Sequence, residues 1–97
     1  MTGTAQQLID ELETQGVATT KVGDVVYTIT EDQRPDRISY EITRSDRPSK
    51  TVLWYDDQDS DNEGWVKDRI EDGEIADNYV YDSDQPLADI LDRILTA

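Results

Sequence analysis

The chain has 97 residues, no cysteine, no histidine and no phenylalanine, and its 23 acidic and 9 basic residues give a net charge of −14. Without cysteine there is no disulfide framework, thiolate zinc site or thiol nucleophile, and without histidine the commonest general base and imidazole ligand are missing. So negative a chain is also ill-suited to a bare phosphate backbone, because that affinity comes mainly from Lys and Arg neutralising phosphates.

Residues 4–15 read as a helix. Thr4 and Gln7 have capping-box spacing, and Ala5, Leu8, Ile9 and Leu12 share one face. Gly16 is placed to end it. Residues 17–22 are predicted as a short strand, and Gly23-Asp24 as a tight turn into a strand over 25–30. There Val25, Tyr27 and Ile29 alternate to one side. A polar break with Pro35 leads to a strand over 37–43, with Ile38, Tyr40 and Ile42 inward and Ser39, Glu41 and Thr43 outward. After a second break with Pro48, residues 51–55 form a strand that is apolar on both sides. Val52 and Trp54 lie on one side, Leu53 and Tyr55 on the other. That pattern predicts a strand covered on both faces or lying beneath another element, or one that leaves an apolar patch for a partner.

An acidic loop follows over 56–64. Residues 65–72 read as a helix, since Trp65, Val66, Arg69 and Ile70 share a helical face and Gly73 can end it. Residues 78–81 read as an edge strand or an extended connector. The last helix begins near Pro86 and carries the stripe Leu87, Ile90, Leu91, Ile94 and Leu95.

Ninety-seven residues fit one domain, and no internal repeat or low-complexity linker divides them. The expected architecture is a single α+β domain built as a two-layer sandwich. An antiparallel meander of three to four strands carries an N-terminal helix and two C-terminal helices on one face. No apolar run approaches a membrane span, and the first residues lack the basic and apolar segments of a secretory signal, so a cytoplasmic protein is expected.

The kind of charge adds to its amount. Sixteen acids are Asp and seven are Glu, while only three residues are Lys. Solubility alone asks for a net charge of roughly 2 to 8 in a small domain. A charge of −14 costs stability through self-repulsion, which molar salt screens by shrinking the Debye length to about 3 Å. This composition resembles that of cytosolic proteins of salt-loving archaea, and the resemblance implies adaptation to concentrated electrolyte. A rival reading is a DNA mimic, which inhibits a nucleic-acid-binding protein with carboxylates set in a row like phosphates. Salt adaptation instead spreads carboxylates over every exposed surface.

Two local patterns are candidate sites. Asp57, Asp59 and Asp61, with Asp68 at the twelfth position, resemble an EF-hand calcium loop, in which alternate carboxylates converge on one hard cation. The match departs from that pattern at Asn62 in place of Gly, at Gly64, at the shorter Asp68, and in the strand before the loop. In so Asp-rich a chain, a solvated acidic loop is the simpler reading, and Ca2+ is the one cofactor the sequence raises. The second pattern is an uneven distribution of bases. Residues 21–50 hold six acids and six bases, whereas residues 51–97 hold fourteen acids and three bases. In a meander, Lys21, Arg44, Arg47 and Lys50 fall at one end of the sheet. They could receive an anion or an acidic partner surface there, or simply pair with neighbouring carboxylates. Arg34 and Arg37 belong to the opposite end.

The aromatic residues read as core and sheet-face residues rather than a base-stacking platform, which would need a basic groove. No serine has a histidine partner, and the five glycines are isolated, so no phosphate-cradling loop is visible. The sequence therefore predicts a non-enzymatic, salt-adapted protein–protein interaction module or homo-oligomer. Calcium binding and DNA mimicry are the alternatives.

Overall fold

A computed structural model describes residues 2–33, 37–56, 63–82 and 84–96. Helix α1 (Thr2–Gln15) leads into six strands: β1 (Val17–Val22), β2 (Val25–Gln33), β3 (Ile38–Arg44), β4 (Lys50–Asp56), β5 (Gly64–Glu71) and β6 (Glu74–Val80). Helix α2 (Leu87–Thr96) closes the described chain. The strands form one antiparallel sheet in sequential order, β1 to β6, so the chain is an α+β meander.

Local chemistry accounts for the hairpins. Gly23 has a φ of 62° in the two-residue turn between β1 and β2, a conformation open to glycine at little cost. Between β5 and β6, Asp72 and Gly73 both have positive φ, 54° and 82°, as a type I′ hairpin turn requires. Gly16, at φ 76°, ends α1. Its amide donates to the Leu12 carbonyl (2.9 Å), and its own carbonyl accepts from the Glu31 amide (2.9 Å), which ties the helix end to β2.

Six strands replace the predicted three to four, and two helices replace three. The difference lies in residues 65–72, which form β5 rather than a helix. The apolar positions Trp65, Val66 and Ile70 suit either period, but eight residues are too few for a stable isolated helix. As a strand they pair with β4 along its whole length, from Lys50↔Ile70 to Asp56↔Gly64. Gly73 closes a hairpin instead of ending a helix. The expected edge strand at 78–81 is β6, begins at Glu74, and shifts register between Arg69 and Ile70 on the neighbouring strand.

Both helices lie on one face of the sheet. Ala5, Leu8 and Leu12 of α1 and Ile90, Leu91 and Leu95 of α2 are buried with Ala18, Tyr27, Ile29, Ile42, Leu53 and Tyr81. Tyr40 and Trp65 pack against this core from the same face, their ring centroids 6.1 Å apart. Burial, reinforced by Glu31 and Glu13, raises the Tyr40 phenol above its usual value of 10.0, and burial followed by Tyr79 does the same for Tyr81. Helix cover ends near β4 and β5, and every residue of β6 is exposed.

Leu53 is fully buried under the helices, as its side of β4 predicts. Of the alternatives for β4, cover on both faces is not what the described residues show: Val52 and Trp54 point to the sheet's other face, where no described helix lies, and remain partly exposed.

Candidate functional site: the open face of the sheet

Strand alternation and register fix what this open face displays. The row through Ser39 runs Ser39↔Trp54↔Val66↔Val80, and the next runs Glu41↔Val52↔Asp68↔Asn78. Beyond them lie Thr43, Lys50 and Ile70, with Ile75 opposite Ile70. Over β1 to β3 the same face is mostly polar, with four threonines (Thr19, Thr28, Thr30 and Thr43) beside Lys21, Asp32, Ser39 and Glu41, and with Val17 and Val26. The apolar side chains therefore concentrate on β4 to β6: Val52, Trp54, Val66, Ile70, Ile75 and Val80. Ile75 and Val80 are 62% and 56% exposed. Val66 is 5% exposed, between Trp54 and Val80.

Polar groups on this patch are bonded to one another. Trp54 Nε1 donates to Asp68 Oδ2 (2.9 Å), and Asn78 Nδ2 donates to Asp68 Oδ1. Three strands thus meet at one carboxylate, both oxygens of which are engaged. Lys50 Nζ donates to Glu41 Oε1 (3.1 Å). The Arg37 guanidinium lies over the Trp54 ring, 4.5 Å from its centroid, and its Nε is shielded from solvent without a hydrogen bond among the described residues. The sequence placed Arg37 at this end of the sheet but gave no sign of the stack, which depends on the register of β3 against β4.

Removing the shared carboxylate would leave the part-buried Trp54 indole N–H without its acceptor and release the exposed Asn78 amide. Asp68→Ala is expected to destabilise the chain by roughly 1–3 kcal/mol, read from the urea midpoint. A change below a few tenths of a kcal/mol would show that water replaces the carboxylate at no loss.

The calcium pattern divides at this point. Asp57, Asp59 and Asp61 lie outside the described residues. Asp68 is in mid-strand on the open face, bonded to Trp54 and Asn78. Among the described residues no group of three or more acidic side chains is arranged to hold a metal ion.

The four predicted bases do fall at one end of the sheet, beside the β1–β2, β3–β4 and β5–β6 turns, but they do not share a face. Lys21 and Lys50 lie on the open face, and Arg44 lies on the opposite one, opposite Tyr27. Arg44 forms a two-pronged pair with Asp46, both contacts 2.9 Å, which holds the Asp46 carboxyl below its usual range and the guanidinium above its own. Lys50 is paired with Glu41. Arg47 lines a cleft of about 270 Å³ with Pro48, Ser49, Glu71 and Asp72, so two carboxylates face whatever enters beside it. Local pairing accounts for much of this charge.

Edge strand β6 has its own protection. Asp77 Oδ1 accepts the amide of Asn78 (2.9 Å), and the strand carries Glu74 and Asp77 along with its register shift. No described helix is long and apolar enough to cross a membrane. Comparison of the chain with family models, with curated proteins and with solved structures found no match.

Proposed function

We propose that this chain is a non-enzymatic protein–protein interaction module, adapted to concentrated salt in the cytoplasm, that docks through the open face of its sheet. One observation carries the reading. The chain places both described helices on one side of a six-stranded sheet and leaves on the other side of β4 to β6 an apolar row, Trp54, Val66 and Val80, and a second apolar pair, Ile70 and Ile75, with Val52, Asp68 and Asn78 between them. Exposed apolar patches of this kind mark sites of association in soluble proteins. Trp54 and Arg37 belong to the residue types enriched at interface centres, and here each holds the other in place.

The distribution of charge supports the same reading. Among the described residues the open face carries Lys21, Arg37 and Lys50 against Asp32, Glu41, Asp56 and Asp68, three cations and four anions, a net of −1. The whole chain carries −14. Carboxylates elsewhere stand on both helices and in the turns, including Asp10, Glu11 and Glu13 of α1, Asp89 and Asp92 of α2, and Asp24, Asp46 and Asp72. That spread fits salt adaptation better than a single phosphate-like row, and it leaves the open face as the place where contact meets least repulsion.

A photo-crosslinking side chain placed at position 80, on the open face, and separately at position 7, on the exposed side of α1, tests the proposal in cells of the native host. A discrete protein adduct from position 80 and none from position 7 is the expected result. Equal labelling from both positions, or none from position 80, would refute it.

A further inference from the structure

Resting on the reading of the open face as a docking surface, we infer that its occupant is a second copy of this chain. The two sheets pack face to face, with the helices outside, about a two-fold axis that runs across the strands.

Three features of the face lead there. The first is size. Six strands spaced by about 4.8 Å, each about seven residues at 3.4 Å per residue, present a footprint on the order of 700 Å². A stable protein interface buries about 800 Å² on each partner. One sheet face therefore nearly meets the need, and an identical face meets it on the other side.

The second is the placement of apolar groups. A two-fold axis lying between the sheets and across the strands sets each strand over its own copy with the direction reversed. Strands β4 to β6, with Val52, Trp54, Val66, Ile70, Ile75 and Val80, then cover the same strands of the partner copy. The threonine-rich strands β1 to β3 likewise meet their own kind. An axis along the strands would instead lay apolar β6 over polar β1. Aligned sheets pack with strand directions within about 30° of each other, which this arrangement allows.

The third is charge. Lys21 and Lys50 lie at the turn end of the open face, and Asp32 and Asp56, with Arg37 over Trp54, lie at the opposite end, two cations against a net of −1. Reversal of the strands brings the lysine end of one copy over the aspartate end of the other. Between the ends, Asp68 already holds two hydrogen bonds and Glu41 already holds Lys50, so covering them costs less than covering free carboxylates.

Sedimentation equilibrium of the full chain in molar potassium chloride tests the inference, with Val80→Lys as the disrupting variant and Gln7→Lys on the outer side of α1 as its control. Both substitutions remove the same amount of net negative charge, so neither adds general repulsion. The expected result is a dimer for the parent chain and for Gln7→Lys, and a dissociation constant at least tenfold weaker for Val80→Lys. If Val80→Lys fails to fold, Ile75→Lys carries the same comparison, since its side chain is 62% exposed and its loss costs the single chain little. A monomeric parent chain overturns the inference, and so does a dimer that neither open-face variant weakens. A monomer that still crosslinks from position 80 to a different protein would overturn the dimer alone and leave the docking surface standing.

Discussion

Leu53→Ala is expected to cost about 2–5 kcal/mol of stability, a large part of what a domain of this size holds. Leu53 has no exposed surface and sits on β4, flanked by Tyr40 on β3 and beneath the helix pair. Truncation leaves a cavity on a strand paired on both edges and beneath two helices, so the site has little freedom to collapse. Val80→Ala, on the open face at 56% exposure, is expected to stay within about 0.5 kcal/mol at a dilution where the chain sediments as one copy. Urea midpoints measured in molar potassium chloride compare the two, urea being uncharged. A Leu53→Ala cost below about 1 kcal/mol would mean that the helices do not pack on β4 as described.

Transfer from molar to about 10 mM salt is expected to remove stability on the order of 5–10 kcal/mol, enough to unfold the chain or bring it close to unfolding. A net charge of −14 is spread over a body with a 13.1 Å radius of gyration when folded and over about 30 Å when unfolded. At the lower salt the Debye length is about 30 Å, longer than the folded radius, so the folded form bears the full repulsion while the expanded form relieves it. The ion pairs Arg44–Asp46, Lys50–Glu41 and Arg69–Glu71 each involve exposed groups, so each contributes little against a term of that size. Thermal melts across a salt series measure the effect. A melting temperature that holds steady down to 10 mM would refute salt adaptation and leave the carboxylates needing another explanation.

The sequence was most legible where one face of an element is buried. Leu8 and Leu12 mark α1, the alternation of Tyr27 with Ile29 marks β2, and the stripe ending at Leu95 marks α2, because burial imposes the period directly. It was least legible where both faces meet water. Strand β6 has no buried residue, so its side chains follow no period, and the register shift at Arg69 and Ile70 breaks the remaining alternation. Residues 65–72 misled for a related reason. Trp65, Val66 and Ile70 satisfy a helical face, and the deciding signal was Asp72-Gly73, a type I′ turn pair that fixes a hairpin and therefore two strands.

The open-face site was hidden for the same cause. Trp54, Asp68 and Asn78 lie on three strands and meet only through their register, so the reading that missed β5 could not bring them together. Asp68 takes the last position of a calcium-loop pattern by its spacing from Asp57, Asp59 and Asp61, which lie outside the described residues. In β5 its carboxylate accepts from an indole and an amide. The basic residues were easier to locate than to interpret. Their position at one end follows from any meander, whereas their partners, Asp46 for Arg44 and Glu41 for Lys50, follow from side-chain geometry.

The central claim is that, among the described residues, no helix or strand covers Val52, Ile70, Ile75 and Val80 on the open face. Methyl relaxation by a soluble, neutral gadolinium chelate measures this directly, at a dilution where the chain sediments as one copy. The account predicts strong broadening at those four side chains and protection at Leu8, Ile29, Leu53 and Leu91. Equal protection of both sets in the single chain would contradict it.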